Sequence, residues 1–134
     1  MYADKLHKHD VFISYHPDDY TWVNNQLLPR LQKAGISYID YRNFQLGNSK
    51  INEIEKAICE SQKTLLIVSS SYISNNWKNF ENSLVSSFGM KTNNWPAIPI
   101  IIESCDLPPR MEALVFIDLT RNDLYEWKRL IDDL

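Results

Sequence analysis

The sequence predicts an α/β protein, an open doubly wound sheet of five parallel strands flanked by helices. Three observations carry that expectation. Short apolar runs alternate with helix-period segments along the whole chain, and strands alternating with helices build parallel sheets through right-handed crossovers. The run at 64–69 (TLLIVS) is almost continuously apolar, as a central strand covered on both faces requires. The 134 residues, 44% hydrophobic and 23% charged, suffice for one domain with a real core, placed at 1–134.

Residues 10–15 (DVFISY) read as the first strand. Pro17 and the pair Asp18–Asp19 end it and start a helix carrying Trp22, Val23, Leu27, Leu28 and Leu31, with Pro29 a source of a kink. Gly35 stops that helix in the role of C′ residue. A second strand covers 36–40, and 41–49 is a loop around Gly47 without a secondary-structure period. Residues 50–61 form a helix with Ile51, Ile54 and Ile58 on one stripe. The central strand follows, and Ser69–Ser70–Ser71 cap the next helix. That helix has Trp77, Phe80, Leu84, Val85 and Phe88 on its apolar side. The fourth strand spans 97–102, with Pro99 suggesting an edge or early position. Pro108 and Pro109 mark a loop, 114–118 a fifth strand, and 123–134 a closing helix with Leu124, Trp127, Leu130 and Ile131. This order is that of a flavodoxin-like domain. The last helix reaches residue 134, so the protein ends there or the chain is the N-terminal part of a longer one.

Several function classes fall away. A net charge of −3 offers no electrostatic footprint for nucleic acid or an anionic membrane. The apolar runs are far shorter than the ~20 residues that span a bilayer, and the polar N-terminus lacks a signal-peptide core. Cys59 and Cys105 form no metal-ligand pattern with His7, His9 or His16; no metal is implied, and a reduced, cytoplasmic setting is the simplest expectation. His7 and His9 read as tail residues. The turn after the first strand contains no glycine, which excludes a dinucleotide fingerprint and a P-loop. Ser69 stands where a phospho-acceptor receiver would need an aspartate.

The feature with most chemical content is the pair Trp77 and Glu81, four residues apart at a helix start and so on one helical face. Such a face can hold a flat cationic ring and stabilise positive charge on an attached sugar; it can equally be an ordinary amphipathic helix with a solvated glutamate. Doubly wound sheets bind ligands beyond the carboxyl ends of their strands. That rule selects Tyr15–His16–Pro17, the 41–49 loop and the segment from Ser69 onward, with Trp77 and Glu81 just beyond.

Four segments together resemble the TIR (Toll/interleukin-1 receptor) domain family: DVFISY at 10–15, IDYRNFQLG at 39–47, IEKAI at 54–58 followed by Ser61 and the central strand, and SNNWKNFE at 74–81. The likeness covers essentially all of the chain. Leu46 replaces a proline common before the loop glycine of signalling adaptors, and the closing Phe-Trp pair is only echoed by Tyr125 and Trp127. These departures point toward the prokaryotic, NAD-hydrolase-type branch.

The resemblance implies an NAD+ glycohydrolase that releases nicotinamide and ADP-ribose, or a cyclic ADP-ribose isomer. It implies activation by homotypic self-association, a fused or partner sensor domain, and a place in bacterial anti-phage defence or cell-death signalling. NAD+ is the substrate, and no cofactor is needed. Glu81 is the expected catalytic residue. Ser14, Tyr15, His16, Pro17, Phe44, Gln45 and Trp77 are the expected substrate-binding residues, with Trp77 also readable as a core anchor; Arg42 could meet a pyrophosphate but reads first as a solvated loop arginine. One carboxylate is chemically sufficient, because nicotinamide leaves a cationic pyridinium as a neutral amide and needs no general acid, while an anion stabilises the oxocarbenium-like transition state. The alternative is a non-catalytic TIR scaffold for homotypic protein–protein interaction.

Overall fold

A computed structural model of the chain describes residues 7–92 and 95–134. Five parallel strands form one sheet in the order β2-β1-β3-β4-β5, as expected. They are β1 His9–Ser14, β2 Tyr38–Ile39, β3 Ser61–Val68, β4 Ala97–Ile101 and β5 Ile117–Asp118. The order reverses between β1 and β3, which places the ligand crevice of such a sheet beyond Ser14 and Val68.

The apolar run of β3 divides between two cores, since alternate strand residues face opposite ways. Leu65 and Ile67 pack with Val11, Ile13, Leu31 and Trp127 on one side. Leu66 and Val68 pack with Phe12, Ile58, Tyr72, Phe80 and Met111 on the other. β3 starts at Ser61, three residues earlier than its apolar run, because Ser61 pairs with His9. His9 therefore opens β1 and is not a tail residue.

Pro17–Asp19 is a 3-10 turn that leads into α1 (Tyr20–Trp22), a π-helical turn at Val23–Leu27, and α2 (Leu28–Lys33). The π turn accounts for Pro29. A proline inside an α-helix lacks its N–H and clashes with the carbonyl four residues back. Here the Leu28 N–H reaches Val23 O and Pro29 falls in the first turn of α2, where proline is tolerated. Gly35 (φ +72°) ends α2: its N–H donates to Gln32 O and that of Ile36 to Leu31 O, the paired bonds of a Schellman motif.

β2 is shorter than 36–40 because Asp40 leaves the strand to cap a 3-10 turn at Tyr41–Asn43, where it and Asn43 form a capping box. α3 (Lys50–Glu60) is capped by Ser49. Its buried stripe begins at Ile54, since Ile51 is 57% exposed. Ser69 caps α4 (Ser70–Asn75), accepting from Tyr72 N, and α5 (Trp77–Phe88) follows after a break at Asn76. The residues before Trp77 thus form a separate helix.

β4 is internal to the sheet, contrary to the edge position that Pro99 suggests. Pro96 O accepts from Thr64 in β3, and Ile101 O from Leu119 on the far side. Alternation then turns Pro99 away from β3, toward β5, which pairs only with Ile100 and Ile101. No partner asks Pro99 for a donor. Pro109 opens α6 (Pro109–Glu112) and so is not a loop residue. In α7 (Leu124–Asp133), Trp127 and Leu130 are buried but Leu124 is 74% exposed, so the apolar stripe omits its first residue. Trp127 stacks on Trp22 at 5.8 Å and donates its indole N–H to Asn122, whose φ is +51°.

Candidate functional site

The end of β1 supplies the first group. Ser14 Oγ lies 2.9 Å from the Tyr72 hydroxyl, and both residues are buried. Tyr15, 3% exposed, donates its hydroxyl to Asp40 Oδ2 at 3.0 Å. Burial first, and then the Asp40 charge, push the Tyr15 hydroxyl well above its usual range; burial does the same to Tyr72. His16 Nδ1 accepts from Asp18 N at 3.0 Å and caps the 3-10 turn that Pro17 opens.

Across the switch point, Ser69 Oγ donates to Asp19 Oδ2 at 2.5 Å, and Ser70 N donates to Glu103 at 2.8 Å. Burial raises the Asp19 carboxyl above its usual value against the opposing bond from Ser69. The serines after β3 therefore bind carboxylates as well as capping α4.

The 41–49 loop is held at both ends. Asp40, 1% exposed, accepts from the Arg42 side chain at 2.7 Å and from Arg42 N at 2.9 Å. Arg42 also donates to the Tyr20 hydroxyl at 2.7 Å with its guanidinium over that ring. It is thus an ion-pair member anchored at one end while its side chain stays 42% exposed, and Asp40 holds it firmly protonated. Further on, Glu53 accepts from Gln45 N at 2.7 Å and from the Asn48 side chain at 3.3 Å. These bonds hold the Glu53 carboxyl below its ordinary value. Between the anchors, Phe44 packs on Phe12 at 5.9 Å and lines a cavity of about 260 Å³ with Ile39, Asn43, Lys56 and Ala57. Leu46, at the apex, is 97% exposed.

Trp77 is the first residue of α5 and only 4% exposed, with its indole tilted against Trp95 at 6.5 Å. Glu81 is not solvated: its side chain is 15% exposed, and Oε2 lies 3.4 Å from Nη1 of Arg110 on α6. Phe80, its neighbour, packs on Phe12 at 6.1 Å. One aromatic line, Phe44–Phe12–Phe80, therefore joins the loop to the helix that bears Glu81.

The sequence puts Ser14, Tyr15 and Trp77 in the substrate-lining set, but the fold uses their side chains inside the core. The two hydroxyls are committed to Tyr72 and Asp40, and the indole packs on Trp95. His16, Pro17, Phe44 and Gln45 remain at the sheet edge or loop, while Glu81 faces α6. Arg110 and Asp40 are the residues that sequence reasoning missed. Asp40 had a signal, the capping-box spacing to Asn43. Arg110, 29 residues beyond Glu81, had none. Among the described residues, no group of three or more His, Cys, Asp or Glu could hold a metal ion, and no helix is long and apolar enough to cross a membrane.

A family model for the TIR domain matches residues 11–134. The chain belongs to the TIR domain family. Among curated proteins, this TIR domain is 37% identical over 71 residues to human Toll-like receptor 1, covering 52% of the chain and 9% of the receptor. It is 25% identical over 125 residues to bovine Toll-like receptor 4, covering 90% and 15%. The domain thus spans a small fraction of the receptors it matches. Among solved structures, the TIR domain of the Toll-related receptor TRR-2 from Hydra magnipapillata superposes with a TM-score of 0.79 at 28% identity, covering 94% of this chain and 98% of that one. A metazoan TIR-STING receptor from C. gigas shares the fold, with a TM-score of 0.64 at 22% identity over 95% of this chain and 39% of its own.

Proposed function

We propose that this TIR domain is an NAD+ glycohydrolase switched on by homotypic self-association, with Glu81 as its catalytic carboxylate. The observation that carries the reading is the state of Glu81. A helix-surface glutamate of no function is ordinarily solvated; this one is largely withdrawn from water on a rigid helix, with one guanidinium for company. A carboxylate in such a place stabilises developing positive charge more effectively than one in bulk water.

In the reaction, the bond between ribose C1′ and the pyridinium nitrogen breaks and its electron pair leaves with nicotinamide. Water adds to C1′, giving ADP-ribose and one proton; attack by a group of the ADP-ribose itself would give the cyclic isomer. Glu81 steadies the ribosyl cation, while His16, Pro17, Phe44 and Gln45 face the substrate from the sheet edge and loop. The departures at Leu46, Tyr125 and Trp127 favour an enzyme of the prokaryotic branch, working in the cytoplasm beside a fused or partner sensor in anti-phage defence or cell-death signalling.

A second reading is a scaffold that only assembles with other TIR domains. It is favoured by Leu46, 97% exposed at the tip of a loop pinned at both ends, and by the burial of Trp77. One experiment separates the two. The protein at high concentration is incubated with NAD+, and nicotinamide release is compared with that of Glu81→Gln and Glu81→Ala by chromatography. Loss of release in both variants supports catalysis by Glu81. Equal release from all three defeats it, and no release from any leaves the scaffold.

A further inference from the structure

Arg110 has no part in the chemistry just described, yet it is the residue that touches Glu81. We propose that Arg110 is a latch, holding the Glu81 carboxylate neutralised in the isolated domain until assembly draws the guanidinium away. The inference rests on the reading of Glu81 as the charge-stabilising group. If that carboxylate serves a ribosyl cation, a fixed cation beside it competes for the same charge.

The geometry is that of a restraint and not of a positioning bond. Arg110 offers one contact, Nη1 to Oε2 at 3.4 Å, where a strong two-pronged pair would have bonds of about 2.7–2.9 Å. Oε1 of Glu81 has no hydrogen-bond partner among the described residues. A residue that oriented the carboxylate for catalysis would be expected to grip both oxygens, as Arg42 does at Asp40.

The guanidinium is nevertheless delivered from a firm base. α6 begins at Pro109, Glu112 N and Ala113 N close its turn on Pro108 O and Pro109 O, and Met111 is fully buried. The side chain itself is 34% exposed, so an anionic group on a second copy can reach it from solvent. The latch is therefore rigid at its root and open at its tip.

The test uses the whole chain and five proteins: wild type, Arg110→Ala, Arg110→Lys, Glu81→Gln and Arg110→Ala/Glu81→Gln. Nicotinamide release is followed over a range of protein concentrations, and self-association is followed by sedimentation in the same samples. The expected result is that Arg110→Ala raises kcat at low concentration by at least about tenfold, with KM and sedimentation unchanged. Arg110→Lys should stay near wild type and the double variant should be inactive. A rate for Arg110→Ala at or below wild type, or a rise that merely tracks tighter assembly, overturns the latch while leaving Glu81 catalytic. A second readout is independent of activity. The urea midpoints of wild type, Arg110→Ala, Glu81→Gln and the double variant form a thermodynamic cycle, and additive shifts would show that the two side chains do not interact, which also overturns it. Release that persists undiminished in Glu81→Gln would instead bring down the catalytic reading itself.

Discussion

The Tyr15 hydroxyl and the Asp40 carboxylate meet at 3.0 Å inside the protein, tying the end of β1 to the root of the 41–49 loop. The same carboxylate holds Arg42 two residues on, so the end of β1 and the first turn of the loop share one buried carboxylate. Removing it should hurt more than removing any one donor. Asp40→Ala is expected to lower stability by about 2 kcal/mol, because it leaves the buried Tyr15 phenol without an acceptor and removes the cap of the turn, and Tyr15→Phe by about 1 kcal/mol. Urea unfolding checks the order, and a larger loss from Tyr15→Phe would show that Asp40 is not the centre.

The Asp19 carboxyl sits above its usual value, mainly through burial. The folded state therefore holds this proton more tightly than the unfolded one, whose value is near 3.8. The group's contribution is fully present below that pH and is lost as pH rises through the higher folded value. Asp19→Asn, which keeps an acceptor for Ser69, should raise the urea midpoint near pH 7 and leave it unchanged near pH 3. The same gain at both pH values would remove titration of Asp19 as the cause.

Glu53 behaves with the opposite sign. Bonds from Gln45 N and Asn48 hold its carboxyl low, so the clamp on the loop is complete above the ordinary carboxylate value and fails as pH falls through the lower folded one. Glu53→Ala should speed hydrogen exchange at the Gln45 amide about tenfold or more near neutral pH, with core amides unaffected. Unchanged exchange at Gln45 would mean that the loop is held by other contacts.

Trp77 is expected to be a packing residue. Trp77→Ala should cost about 3–5 kcal/mol through the cavity it leaves. Trp77→Phe should keep the fold and any NAD+ cleavage within about threefold. Loss of cleavage in a stable Trp77→Phe protein would return the indole to the substrate surface.

The strand order and the caps were legible in the sequence because they rest on local rules. Alternating apolar runs set the sheet, Gly35 stopped a helix, and Ser69 began one. Trp77 and Glu81 were visible as a pair for the same reason, since four-residue spacing is a local property. Their surroundings were not. Which way Glu81 faces depends on Arg110, brought near only when α6 folds back against α5, and no pattern in either segment announces it. Pro99 misled in the other direction: proline implies a missing partner, and the strand beside it proved too short to reach.

That short strand has a consequence for sheet growth. With β5 pairing only with Ile100 and Ile101, the first residues of β4 have no ladder partner on that side among the described residues, and Pro99 there offers no N–H. A strand arriving from another molecule would find a gap in the ladder where it needs a donor. Crowded copies of the domain are thereby discouraged from zipping their sheets together along this edge, a useful protection in a protein proposed to work at high local concentration.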